Sequence, residues 1–416
     1  MTSPRIFNTL LALLLLLAIS QPASAAFTLY DKEAATFTVD GFFNTFYVNS
    51  SSDNKIANPD TDRDQARIKM GFLPNYIGFN FSKQVGDLKL GGRSSFWVSI
   101  NDSDDNYGGG GKVYDLNGNV IGSTATGSSK ATDTGIDVRQ FYGTVDAAWG
   151  QVLIGKDFGL FNRSNIFLDE ILLGYGNVSD TLGLVDGGGV SFGNIGSGYI
   201  YPLPTAQITY RTPDVSGFKL AIGLFDPSHT AGAGSEENMP RIESELTFNK
   251  KIGQGSLTAW TNCMYQKSKS DVVGGQDVKT TGVGYGLQGK IAGFGLTASG
   301  FTASGAGWLA GPGGDTSLGL PVTNKAGDEI DSDGYLVQGS YTYGPARFVA
   351  SYGQTKVDYG PVFTGDLKEK TTTGAVFFAV NSVLNLVAEY NVNEIKLASG
   401  PKEKTNTIAL GATLGF

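Results

Sequence analysis

A single cysteine, Cys263, and a single histidine, His229, stand among 416 residues. One thiol cannot form an intrachain disulfide, so a chain of this kind, if exported, must be held together by other bonds. One histidine, in a Pro-containing loop, leaves little for nucleophile–base chemistry. Charge is scarce as well: 17% of residues are charged and the net charge is −8, which argues against nucleic acid as a partner. Long apolar runs are missing. Beyond Leu10–Ile19, nothing approaches the roughly eighteen consecutive apolar residues of a transmembrane helix.

The one apolar run has a different explanation. Arg5, the run Leu10–Ile19 and the small residues Ala23-Ser24-Ala25 read as a cleaved secretory signal peptide over residues 1–25, leaving a single domain over 26–416. What the chain has in abundance is glycine (59), phenylalanine (25) and tyrosine (18). That composition suits strands and hairpins more than helices.

A strand in a membrane barrel alternates apolar-out with small or polar-in over about ten residues and ends in turn residues. This template predicts strands at Phe37–Val48, Ala66–Ser82, Asp87–Ile100, Ile136–Ala148 and Gln151–Lys156, and eleven more after residue 204, ending with Thr405–Phe416. The connections alternate strictly. Those at 83–86, 149–150, 213–217, 250–255, 291–293, 344–345 and 381–382 are tight; those at 49–65, 101–135, 157–204, 226–240, 267–278, 302–333, 358–370 and 394–404 are long and polar. Outer-membrane barrels have this rhythm, with short periplasmic turns, long outer loops and an even strand number. The fold class is therefore an all-β transmembrane antiparallel barrel of sixteen strands, or eighteen if 302–333 hides a hairpin. The Asn117-Gly118 pair predicts a small hairpin within 101–135.

The longest connection, Asp157–Pro204, is too long for an ordinary turn. It carries Asp157, Asp169, Glu170, Asp180 and Asp186 against Arg163 alone, together with an apolar set that includes Phe158, Leu160, Phe161, Ile166, Phe167, Leu168, Ile171, Leu172 and Leu173. It is expected to fold into the lumen and narrow it.

Several short motifs occur in a known order. Ile77-Gly78-Phe79, Val85-Gly86-Asp87-Leu88, Arg139-Gln-Phe-Tyr142-Gly143, Ile154-Gly155-Lys156, the stretch Ile208-Thr-Tyr210-Arg-Thr-Pro213-Asp-Val-Ser-Gly217-Phe218 and the final Phe416 resemble the general trimeric porins of Gram-negative outer membranes. The resemblance implies a water-filled channel for passive diffusion of ions and small hydrophilic solutes, a homotrimer among outer-membrane lipid and lipopolysaccharide, and no enzyme activity. It also implies that the third long loop forms the narrowest point, its acids facing wall arginines. By position, that makes Arg93, Arg139, Arg211, Lys156, Asp157, Asp169 and Glu170 the expected constriction residues. The chain departs from the family pattern at Tyr76, where an arginine is usual, and lacks the Pro-Glu-Phe-Gly-Gly segment of the family's loop. With the insert net negative, a weak cation preference is expected.

Rival readings use the same residues. A substrate-specific sugar or carboxylate channel keeps the barrel. A barrel enzyme would draw on Gly189-Val-Ser191-Phe-Gly193, a G-x-S-x-G match that needs a histidine partner; an adhesin is the third class. No cofactor is expected, apart from Ca²⁺ or Mg²⁺ at acidic outer loops such as Asp102, Asp104 and Asp105 or Asp328, Asp331 and Asp333.

Overall fold

The alternation read from the sequence builds one sheet. The computed structural model describes residues 26–56, 61–101, 112–114, 120–123, 136–185, 190–313, 320–324, 327–359 and 365–416. The signal-peptide segment, the Asn117-Gly118 turn, Asp102, Asp104, Asp105 and Asp186 lie outside them.

The strands before the insert are β1 (Phe27–Lys32), β2 (Ala35–Asn54), β3 (Thr61–Lys69), β4 (Asn75–Val85), β5 (Leu88–Val98), β6 (Lys112–Tyr114), β7 (Val120–Ser123), β8 (Ile136–Ala147) and β9 (Gly150–Phe158). After it come β10 (Pro204–Arg211), β11 (Phe218–Phe225), β12 (Arg241–Ile252), β13 (Gly255–Ser268), β14 (Val278–Ile291) and β15 (Phe294–Ser304). The last five are β16 (Asp331–Tyr343), β17 (Ala346–Asp358), β18 (Leu367–Ala379), β19 (Leu384–Leu397) and β20 (Lys402–Gly415). β6 and β7 pair only with each other, as the small hairpin in the second long loop.

The other eighteen strands form one antiparallel sheet but fill sixteen places in the wall. The reason lies at β2, which is long enough to serve two neighbours on each side. Its first half pairs with β1 and β4, and its second half with β20 and β3. β1 thus continues the line of β20, and β3 and β4 are two pieces of one line. The seam between chain ends is closed by reciprocal hydrogen bonds between Gly41 and Phe416 (2.9 and 3.0 Å), with the Phe416 ring against Phe27 and Phe43 at 5.2 and 5.9 Å. In hydrocarbon each unpaired backbone group costs several kcal/mol, so closure without an edge is what lets such a sheet cross a bilayer.

Two details differ from the expected strands. β1 is new, a six-residue strand too short for the template. The span Ala66–Ser82, expected to be continuous, is broken at 70–74, where Pro74 cannot donate to a ladder. Side-chain amides fill the gap: Asn101 Oδ1 accepts the Met70 amide at 2.6 Å, and Asn44 Oδ1 accepts the Gly71 amide at 2.5 Å.

Outward positions carry Phe43, Tyr47, Ile154, Ile208, Ile222, Leu287, Leu386, Ile408 and Leu410, all exposed on the isolated barrel. The buried apolar cluster is inside the barrel. Ile166, Ile171, Tyr175, Val178, Leu184, Tyr199 and Ile200 of the long insert, with Trp308 and Leu309 of the loop after β15, pack on inward residues such as Phe46, Leu336, Val349, Phe377 and Ile395. The insert enters the lumen, as expected, and lies against about half of the wall.

Candidate pore constriction

Besides its buried apolar side chains, the insert is held through its own backbone. It leaves β9, makes a one-turn helix at Arg163–Phe167 and then follows the wall from β12 to β20. Inward carboxylates and amides accept its N–H groups in turn. Glu243 takes Leu160 and Phe161 (2.6 and 3.0 Å), Asn262 takes Asn162 (3.0 Å), Glu245 takes Ser164 (3.0 Å) and Gln338 takes Glu170 (2.9 Å). Further on, Glu389 takes Tyr175 and Gly176 (2.9 and 2.7 Å), and Glu403 takes Asp180 and Thr181 (2.6 and 2.8 Å). A loop without regular structure thereby has its donors satisfied inside a buried layer.

The expected constriction residues separate into three groups. The first lines the wall of β4 to β10. Arg93 makes a two-point contact with Asp40 (2.6 and 3.0 Å) and also reaches Asn80 (2.7 Å) and Gln140 (2.8 Å). Arg139 donates to Asp137 (2.7 Å) and to Tyr201 of the insert (3.1 Å), lying 4.9 Å over the Trp97 ring. A register shift opposite Ser95 and Phe96 allows this, because it turns both Arg139 and Gln140 inward where strict alternation would allow one. Asp157 is nearly fully buried and serves two guanidiniums, Arg163 at 3.3 Å and Arg211 at 3.9 Å.

The second group, Asp169 and Glu170, faces the wall. Asp169 is 5% exposed and accepts from Tyr199 (2.6 Å), Gln338 (2.6 Å), Asn194 (2.9 Å) and the Ile171 amide (3.0 Å). Burial pushes its carboxyl above the usual range against the pull of these donors, and burial with the adjacent carboxyl pushes the Tyr199 hydroxyl well up. Glu170 is 6% exposed and pairs with Arg347 (2.9 Å) and Lys290 (3.2 Å). The third group is Lys156 alone. It shares a face with Ile154, which is 55% exposed, and pairs across the ladder with outward Phe141, so it points away from the lumen.

What the insert does turn toward the lumen is Phe167, 43% exposed, with Arg163 5.0 Å from its ring and Phe158 behind it at 5.2 Å. Tyr76, Trp97 and Phe158 continue this aromatic row at 4.6 and 6.3 Å. Sequence reasoning missed the wall partners Asp40, Glu243, Glu245, Lys290, Arg347, Glu389 and Glu403. The signal was available: a charged residue at an inward position of a membrane strand needs a partner.

The enzyme reading finds no geometry. Ser191 is buried and donates to the Tyr175 carbonyl, while His229 pairs with Glu237 at 2.7 Å in an outer loop. Among the described residues no group of three or more His, Cys, Asp or Glu is placed to hold a metal ion.

A closed antiparallel sheet with an apolar outer face, a polar inner face and a long loop folded against the inner wall defines an outer-membrane channel of the porin class. Residues 11–396 match the family model described as Gram-negative porin, and the chain belongs to that family. It is a channel of the bacterial outer membrane and not an enzyme. Among solved structures it is similar to the outer membrane channel DcaP of Acinetobacter baumannii, at 18% identity and a TM-score of 0.61, covering 93% of this chain and 99% of that one. The anion-selective porin from Comamonas acidovorans matches at 14% identity and 0.60, covering 92% and 100%. Salmonella typhi OmpF in complex with daunomycin matches at 14% and 0.56, covering 94% and 100%. At these identities the likeness is one of fold. No curated protein matches.

Proposed function

We propose that the chain forms a water-filled pore for passive diffusion of small hydrophilic solutes and ions, working as a homotrimer. One observation carries this reading. Inward residues of β18 to β20 are buried beneath the insert, whereas β8 has no buried residue and β5 keeps Lys89, Gly91 and Arg93 at least partly exposed before Ser95 and Trp97 are covered. The insert therefore covers one side of the lumen and leaves a polar track along the other. Single-channel recording in a planar bilayer tests this: steps that rise linearly with KCl and occur in threes are expected. Silence would return the barrel to a non-transport role.

Ion preference follows from which charges meet water. The net charge of the insert pointed to weak cation preference, but its acids support the reverse. Asp157 and Glu170 each lie buried behind two cations: Arg163 and Arg211 are 23% and 25% exposed, and Arg347 and Lys290 are 18% and 41% exposed. We read the narrow region as weakly anion-preferring. A reversal potential in a KCl gradient showing K⁺ preference would sink this.

The trimer rests on the family resemblance; outward Phe378 and Val380 suit lipid or a neighbouring subunit. Divalent cations bridging lipopolysaccharide to acids at the outer rim, such as Asp328 in the loop before β16 and Asp331 and Asp333 at the start of that strand, complete the reading.

A further inference from the structure

Below the insert's helix, on the periplasmic side, lies a cavity of about 320 Å³, lined by Arg163, Phe167, Leu168, Glu245, Thr247 and Thr258 among others. The size is that of a small-molecule site, and the lining sets two apolar side chains, Phe167 and Leu168, among polar ones that also include Ser164 and Asn249. Phe167 offers the apolar surface. Arg163 offers donors: its Nη1 is engaged by the Phe158 carbonyl (3.1 Å) and Asp157 (3.3 Å), while its Nε and Nη2 have no protein acceptor among the described residues. The neighbouring Arg211 holds Gln151 at 2.9 Å and only approaches Asp157, at 3.9 Å. The one carboxylate in the lining, Glu245, is turned onto the Ser164 amide at 3.0 Å and is 7% exposed. An exposed ring beside a guanidinium with open donors matches a flat organic anion, whose ring stacks on Phe167 while its carboxylate takes the fork of Arg163.

We propose that this cavity is a binding site for aromatic monocarboxylates, through which they are drawn into the pore. The inference rests on the channel reading and adds a substrate class to it. Inorganic ions would pass without stopping. A benzoate-like solute would dwell beneath Phe167 before release to the periplasm.

The test uses the full chain in planar bilayers under KCl, with benzoate, acetate, benzyl alcohol and benzylamine added in turn. Benzoate is expected to interrupt the KCl current saturably, at a concentration roughly tenfold below that of the other three. Arg163→Gln and Phe167→Ala should each bring benzoate down to the level of acetate, and Arg163→Lys should restore part of the difference. KCl steps in the same recordings report whether each variant has inserted. If Arg163→Gln does not insert, Phe167→Ala, a change at an exposed side chain, carries the test. Acetate as effective as benzoate overturns the role of Phe167. Benzyl alcohol or benzylamine as effective as benzoate overturns the role of Arg163. KCl steps with no difference among the four solutes overturn the inference and leave the pore standing; no KCl steps at all overturn both.

Discussion

At the scale of single residues, the inner wall uses charge in two ways. Arg93, Arg139, Arg163 and Arg211 are partly exposed to the lumen, each with a carboxylate at its edge. Glu389 and Glu403 are buried and spend their oxygens on the main chain of the insert. Removing such an acceptor strands buried donors, at roughly 1–3 kcal/mol each. Glu389→Ala should therefore lower the unfolding midpoint and raise open-channel current noise as Tyr175 and Gly176 come loose, while Glu389→Gln, which keeps an acceptor, should do less of both. Equal behaviour of Glu389→Ala and the unmodified chain would remove Glu389 from the anchoring set. Gly353 makes a related demand: a methyl group there would sit on the Ser197 carbonyl, so only glycine lets the wall and the insert approach this closely.

At the scale of elements, alternation carries most of the information and fails where it is interrupted. The rhythm of tight and long connections gave sixteen wall places because each hairpin pays its turn residues on one side of the membrane only. The short β1, with Asp31 and Lys32 among its six residues, has too little pattern to register. Lys156 and Asp157 are adjacent on β9, so only one of them can face the lumen, and the ladder with β8 assigns that face to Asp157. The opposite case is Arg139 with Gln140, where an irregularity turns both inward. Deleting Val138 should restore strict alternation and rotate Arg139 to the lipid side. A cysteine at position 139 would then lose reactivity toward a water-soluble thiol reagent, in a Cys263→Ala background. Unchanged labelling would mean that the irregularity does not set the direction of Arg139. The acids of the insert were legible as a group; their direction was not, because it depends on wall partners such as Gln338 and Arg347 more than 160 residues away.

At the scale of the whole molecule, the wall closes only when β1, β2 and β20 meet. Phe416 contributes both its backbone groups and its ring to that seam. Deleting Phe416 should reduce the fraction of chains reaching the compact, heat-modifiable form on a detergent gel, and full recovery would show that β1 and β20 seal without it. The same architecture separates two properties that a pore must combine. The insert is fastened through main-chain amides, which every residue except proline possesses, and through side chains buried against the wall, while Phe167, which it shows to the lumen, takes little part in the fastening. Mutation can therefore rewrite the filter's chemistry without unseating its mount. Close relatives should drift readily in what they admit, each new diet reached by a few changes on a conserved frame.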